Sequence, residues 1–409
     1  MSFFKIDPLK ILNDLIPDPD DKISHENLIY CIPINYFFYK LRKMILTNSL
    51  LWFDSISILM GAITFFLFYV TILAWKYKNI LGLEFARYRG IQRIHIKETP
   101  RLGGLIIVFS VWSYSLFTSI SEIKTILHLM LISLLPCLLV AFREDLFHDM
   151  KPRIRLISLL ISALFFLILY KGPFPLIELP YIGEITLPPL ALLVLYSFAM
   201  LGIANGMNLI DGVNALSAST ALSILGSILF LAHHEKDSVM LAVTFIIMLN
   251  CFIFLLFNYP WGRIFLGDLG AYSLGMISSM LIIIFYARHP NLPSLGAVLI
   301  LIYPATEVIF SLVRRLLNGT SPYRPDKEHM HLKIFQFFRA ESTFKRVANT
   351  IVTPLLSIFW LFPLIVMPWV YQKPAYIIIA SLFFVMAYLY IYKKLNNLGK
   401  TQSRNKRKS

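Results

Sequence analysis

Apolar residues run through this chain in long unbroken blocks, too long for the alternating pattern of a soluble sheet or the striped pattern of a surface helix. A block of about 20 apolar residues matches the hydrocarbon core of a bilayer. Eleven such blocks are expected to cross it, near 51–75, 102–120, 125–142, 154–170, 187–204, 214–232, 238–257, 269–287, 295–313, 350–370 and 375–392. Several contain Gly or Pro, which packed membrane helices tolerate. The pattern therefore predicts an all-α, polytopic integral membrane protein with about 11 transmembrane helices. No polar linker divides the blocks, so residues 51–392 read as one transmembrane domain. An N-terminal extension, 1–50, precedes it and a basic tail, 393–409, follows. The first 20 residues, with KIDPLKILND, are too polar for the apolar region of a signal peptide.

Composition agrees. Of 409 residues, 57% are hydrophobic and 15% charged, with a mean hydropathy of +0.68, against about 25% charged in soluble domains. Most of the 38 Lys and Arg fall in 76–101, 143–153, 258–268, 314–349 and the tail. These segments, with 205–213, share one side in the eleven-span reading, and basic loops favour the cytoplasm. The net charge of +15 is thus first a signal of orientation, and second a means of touching anionic membrane lipids. Nucleic acid is not an expected partner, because the basic residues are divided among membrane loops with no binding module. Cys31, Cys137 and Cys251 form no CxxC pair and read as small buried hydrophobes.

Polar residues of a membrane protein concentrate where it works, and here they fall in five segments of the same predicted face. RYRGIQRIHIKETPRLGG, 87–104, brings Lys97 and Arg101 up to Gly103 and Gly104, where backbone can approach a phosphate or another helix. REDLFHDMKPR, 143–153, sets Glu144, Asp145 and Asp149 at the end of an apolar block. These acids either converge on a cation or form a solvated loop balanced by neighbouring Arg and Lys. NGMNLIDGVNAL, 205–216, carries Asn205, Asn208, Asp211 and Asn214 at three-residue spacing, which keeps them near one helix face and is hard to explain as packing. FNYPWGRIFLGDLGAYSLG, 257–275, holds Asn258 and a lone Asp268 at a helix start, where capping is the bland reading. RRLLNGTSPYRPDKEHMHLKIF, 314–335, places His329 and His331 in a basic loop. That loop reads as exposed and suited to phosphates or sugar hydroxyls. Hard oxygen ligands with cationic donors suit Mg²⁺ and phosphoryl transfer, and the lipid surroundings suggest a lipid substrate.

From Arg87 to Leu332 these five segments, in this order, resemble the polyprenyl-phosphate N-acetylhexosamine-1-phosphate transferases of the MraY/WecA type, glycosyltransferase family 4. TPRLGG, NGMNLIDG and FLGDLGAY are close matches. The resemblance implies an all-helical fold with its active site facing the cytoplasm of a bacterial inner membrane. It implies a UDP-sugar donor, an undecaprenyl phosphate acceptor, release of UMP, and Mg²⁺, with Mn²⁺ as the alternative ion. It casts Asp145, Asp211 and Asp268 as catalytic, with Asp145 beside the lipid phosphate as candidate base. Asp268 would bind the metal with Asn208. Asp211 and Asn258 would contact the nucleotide and Phe265 would stack on uracil. Lys97, Arg101, Glu144 and Asn205 would complete the substrate-binding set, and His329 and His331 would face the sugar. HMH is nearer the HxH of the N-acetylhexosamine group than the triple His of the peptidoglycan-precursor group. A homodimer is compatible with the resemblance. Two departures stand out: Glu144–Asp145 replaces the family's paired aspartates, and Ala215 stands where the family commonly has glycine, a change expected to alter packing rather than chemistry.

Two rival readings are a transporter and a catalytically weak relative. The acids lie at loop boundaries on one face rather than at mid-membrane, and no half-chain repeat is visible, both unlike a transporter. Glu144 is the feature that favours a weak relative. The N-terminus generates a first prediction. Lys40, Arg42 and Lys43 precede the first block on the side that basic residues avoid, whereas a chain starting at Met44 obeys the rule. Residues 1–43 are expected to be dispensable. A chain expressed from Met44 should insert and retain activity in membranes, and normal insertion with lost activity would give the segment a role.

Overall fold

A computed structural model describes residues 54–77, 99–179, 183–321, 326–340, 343–344 and 347–408. The chain divides into two units, Met1–Asp54 and Ser55–Ser409, and only the second is covered by described residues beyond Asp54. The N-terminal extension and Lys97 lie outside the described residues.

The apolar blocks fold as helices: α1 (Asp54–Lys76), α2 (Gly103–Phe117), α3 (Ser121–Phe147) and α4 (Pro152–Leu169), then α5 (Pro189–Ile210), α6 (Leu216–His234), α7 (Ser238–Asn258) and α8 (Gly267–Arg288). Lipid offers backbone groups no hydrogen bonds, so helices that satisfy their own are the natural answer. Among the described residues, nine helical stretches are long and apolar enough to cross a membrane. The other two expected spans are present in altered form. The block at 102–120 is α2, only 15 residues long. The block at 295–313 is broken at Leu301 into α9 (Leu295–Ile300) and α10 (Ile302–Leu317). Pro304 explains the break, since it lacks an N–H and its ring crowds the carbonyl four residues back. The block at 350–370 is likewise divided into α12 (Ala348–Leu355), α13 (Ser357–Trp360) and α14 (Phe362–Val370), with Pro354, Pro363 and Pro368 among them. Between α10 and α12 lies α11 (Met330–Ala340), and α15 (Pro374–Lys408) closes the chain. One small departure from an all-helical reading is an antiparallel hairpin, β1 (Ile177–Leu179) with β2 (Gly183–Ile185), pairing Glu178 opposite Glu184.

The axis of the bundle is α8. Every residue from Gly267 to Ala287 is buried, and the helix packs against α2, α3, α5 and α6. Small residues permit this. A Cβ on Gly104 of α2 would fall 2.1 Å from the backbone nitrogen of Gly270, and one on Gly275 would fall 2.6 Å from Cα of Ala204 on α5. Buried polar side chains tie neighbouring helices together. Thr64 on α1 lies 2.7 Å from Ser110 Oγ on α2 and 2.6 Å from Asn250 Oδ1 on α7. The Ser162 hydroxyl of α4 accepts from Cys137 N, at 3.0 Å, one residue beyond Pro136 inside α3. At the C-terminal end of α8, Arg288 binds Asp237 (2.7 and 3.2 Å) and Glu122, and His289 lies 3.0 Å from Asp237. This cluster joins α8 to the N-terminus of α3 and to the α6–α7 turn. The opposite ends of α3, α5 and α8 gather the candidate site.

Gly104→Ala is expected to force α2 and α8 apart at a backbone-to-backbone contact that cannot yield. Overpacking of this kind costs about 1–3 kcal/mol, occasionally more. A thermal melt in detergent should show a clear loss of stability, and an unchanged melt would refute the close packing.

Candidate active site

The N-terminus of α8 presents backbone N–H groups with no partner inside the helix. Its first turn carries an acid, Asp268, but that side chain does not cap it. The cap comes from Asp145, near the end of α3. Its Oδ1 accepts from Asp268 N and its Oδ2 from Leu269 N, both at 2.9 Å. The helix dipole favours a negative group here. Gly267, at φ +77°, brings the two segments together, because a Cβ there would lie 2.5 Å from Asp145 Oδ2. The TPRLGG segment docks on the same turn. Phe265 N donates to Pro100 O, while Gly103 N and Gly104 N donate to Phe265 O and Leu266 O, at 2.8, 3.0 and 2.9 Å.

Two guanidiniums hold the Asp268 carboxylate. Arg101 reaches Oδ1 at 3.0 Å and Arg155, on α4, reaches Oδ2 at 2.6 Å. Arg101 Nε also lies 3.4 Å from Asp145 Oδ1, and Arg155 Nη1 lies 3.7 Å from Glu144 Oε1. Glu144 accepts from Met150 N at 2.9 Å, closing the turn between α3 and α4. The two expected neighbours thus have different work, with Asp145 facing the buried helix end and Glu144 facing the loop. Asp149, grouped with them in the sequence, is drawn to Arg143 instead, at 2.8 Å.

The polar turn after α5 lies beside this cluster. Asn208 donates to Tyr272 Oη on α8 at 3.0 Å, and Asn205 is half-buried one turn earlier. Asp211 is half-buried as well. Burial raises its carboxyl well above the ordinary carboxylate range. Arg101 opposes this, and the charges of Asp268 and Asp145 add to it. Asn214 and Asn258 shape the turn. Asn258 receives Ala215 N at 2.6 Å and donates to Ile264 O at 2.7 Å, while Asn214 donates to Pro260 O at 3.0 Å. Ala215 has φ +69°, a left-handed conformation that glycine adopts freely and that costs other residues roughly 1–2 kcal/mol. The departure at this position therefore changes backbone strain, where altered packing was expected. Phe265 is half-buried, near Gly262.

The histidine segment is buried where an exposed loop was expected. His329 is 4% exposed and His331 1%. Asp326 makes this possible by pairing with Arg314 and, at 3.2 Å, Arg315, which cancels the charge that made the segment look solvated. The rings of His329 and His331 stack at 5.8 Å. A Cβ on Gly212 would lie 2.4 Å from His331 Nε2, so the second histidine rests against the turn that begins with Asp211.

This arrangement joins five segments scattered over more than 200 residues, and part of it lies in a stretch that matches known proteins. Residues 127–286 match the family described as Glycosyl transferase family 4. Over those residues the chain is similar to glycosyl transferase family 4. Three relatives illustrate the range. One, from Bacillus subtilis, is named "Probable undecaprenyl-phosphate N-acetylglucosaminyl 1-phosphate transferase" and is 26% identical over 253 residues, covering 60% of this chain and 68% of the relative. A decaprenyl-phosphate N-acetylglucosaminephosphotransferase of Mycolicibacterium smegmatis is 26% identical over 304 residues, covering 65% and 73%. A phospho-N-acetylmuramoyl-pentapeptide-transferase of Dictyoglomus thermophilum is 29% identical over 229 residues, covering 52% and 70%.

The stretch matched to glycosyl transferase family 4 contains Glu144, Asp145, Asn208, Asp211, Asn258, Phe265 and Asp268; Arg101 and the two histidines come from outside it. It also contains Arg155, which no motif in the sequence singles out. The signal was there, since an arginine a few residues inside an apolar block is a functional candidate by default. As arranged, the cluster holds four carboxyls, from Glu144, Asp145, Asp211 and Asp268, against the guanidiniums of Arg101 and Arg155. Among the described residues no three His, Cys, Asp or Glu side chains converge in a metal-ligating geometry, because Asp268 spends both oxygens on arginine. The donor chemistry nonetheless suits a hard cation. Asp211 and Asn208 offer oxygens, and Asp268 could add its own if an arginine gave way.

A folded-state pKa raised above the unfolded value means the fold loses stability as pH climbs from the ordinary carboxylate range towards the folded value. In protein stripped of divalent cations, Asp211→Asn is expected to melt higher than the parent protein. The gap should widen between pH 5 and pH 8. Equal melting at both pH values would show that Asp211 carries no such penalty.

Proposed function

We propose that this protein transfers an N-acetylhexosamine-1-phosphate, GlcNAc-1-phosphate or a related amino sugar, from a UDP-sugar to undecaprenyl phosphate. UMP is released, and the transfer is the first membrane step of a surface glycan. The observation that carries this reading is the acid and arginine cluster at the buried N-terminus of α8, with Asn208 and Asp211 beside it. Such a cluster suits charge redistribution between phosphates at the edge of a bilayer. The relatives support the reading: two are named for N-acetylglucosamine phosphate transfer to undecaprenyl or decaprenyl phosphate. The Lys and Arg asymmetry favours a cytoplasmic site in a bacterial inner membrane, where a soluble nucleotide-sugar and a lipid phosphate can meet.

In this reading Asp268 and Asn208 would hold Mg²⁺, which would neutralise developing charge on the phosphates. Arg101 and Arg155 balance Asp268 in its place and supply cationic donors for phosphate oxygens. Asp145 fixes the helix end on which Asp268 is mounted, 3.4 Å from Arg101. Asp211 keeps its proton more readily than an ordinary carboxyl and stands ready to exchange it once a cation or a substrate enters.

The test is transfer in vitro with a panel of UDP-sugars and undecaprenyl phosphate, reading the lipid product by mass and UMP by chromatography. Asp268→Asn is expected to abolish transfer while leaving the protein folded in detergent, with a lower melt where Arg101 and Arg155 lose their partner. Near-normal turnover by this variant at low Mg²⁺ would remove Asp268 from the metal site. No product from the parent protein with any UDP-sugar would overturn the function itself.

A further inference from the structure

Glu307 has no part in the site described above. It sits in the middle of α10 and is 1% exposed. A carboxyl so deep in a membrane bundle is expensive unless it is partnered, and the partners of this one come from other elements. Oε2 lies 3.2 Å from His329 Nδ1, and the Tyr388 hydroxyl on α15 also pairs with the carboxylate. Tyr303, one turn earlier on α10, carries a buried hydroxyl without a partner. Polar groups buried this way weaken the fold, so their presence calls for a reason other than stability.

The reason lies in what His329 supports. Its Nε2 is 3.6 Å from Asp326 Oδ2, so the ring stands between two carboxylates on different elements. Asp326 is itself held by Arg314, Arg315 and Ser311. A carboxylate on one ring nitrogen fixes the tautomer and orientation of an imidazole. His331 stacks on that fixed ring with its plane 17° away, and both of its nitrogens are buried and unpartnered. Its Nε2 faces Gly212, next to Asp211. Contact therefore runs without a gap from Glu307 through His329 and His331 to the turn that carries Asp211.

We infer that Glu307 is a positioning residue: it sets His329 and, through the ring stack, holds His331 against the Asp211 turn in the geometry that turnover requires. The inference rests on the transferase reading for its kinetic arm only. Glu307 acts through the histidines and touches no substrate, so its loss should appear in kcat more than in KM.

The experiment compares full-length protein with Glu307→Gln, Glu307→Asp and Glu307→Ala, using the UDP-sugar that the parent turns over best. Glu307→Gln keeps the shape but loses the charge. It is expected to lower kcat about tenfold or more, as loss of an orienting partner does. KM for the UDP-sugar should stay within about twofold, and the melt should be unchanged or higher. Glu307→Asp should recover part of kcat. A parental kcat in Glu307→Gln, or a fall in kcat that merely follows the melt across all three variants, would overturn the inference. A second arm needs no turnover. Diethyl pyrocarbonate labelling, read by mass spectrometry, should leave His329 and His331 unmodified in the parent and modify them in Glu307→Ala. Equal labelling in both would overturn the positioning role, whatever the transferase assay shows.

Discussion

The fold depends on how a buried helix end is satisfied. Helix α8 begins inside the bundle, where no water can take up its first N–H groups, and Asp145 supplies both of its oxygens to them. That single carboxylate joins α3 to α8. It also draws Arg101 in from the segment before α2 and leaves Asp268 to pair with Arg101 and Arg155 rather than cap its own helix. Three segments distant in sequence therefore meet because one helix terminus has to be neutralised. The close glycine contacts of Gly104, Gly267 and Gly270 follow, since the caps and carbonyls can only reach if the backbones nearly touch.

Charge balance then shapes what surrounds this junction. The two arginines hold Asp268 from opposite sides, while burial keeps the Asp211 carboxyl above the ordinary range. A ligand that carries phosphate would compete for the arginines, and a divalent cation would compete for the acids.

Much of this was legible in the sequence, and what was missed has physical causes. Asp145, Asp211 and Asp268 stood out because acids at the ends of apolar blocks are rare and costly. Their pairing was hidden, because partners 123 residues apart, as Asp145 and Asp268 are, leave no periodic trace. Arg155 and Glu307 were absorbed into the apolar blocks around them, although each was an ionisable residue inside a span. The histidines were read as solvated because Arg314 and Arg315 dominate the local composition, and only the fold shows Asp326 neutralising them. The break at Leu301 was announced by Pro304, but a hydropathy pattern cannot say which prolines a membrane helix bends around and which ones end it.

The shortness of α2 has a consequence for depth. Fifteen residues rise only about 22 Å, less than the roughly 30 Å of a hydrocarbon core. One end of this helix must then stop below the headgroup layer, and its N-terminus is suited to do so because Gly103 and Gly104 already donate to Phe265 and Leu266. Arg101, two residues earlier, is carried down with it, and so is the carboxylate of Asp268 to which it is bound. The candidate site is accordingly set back from the end that a full-length span at this position would reach.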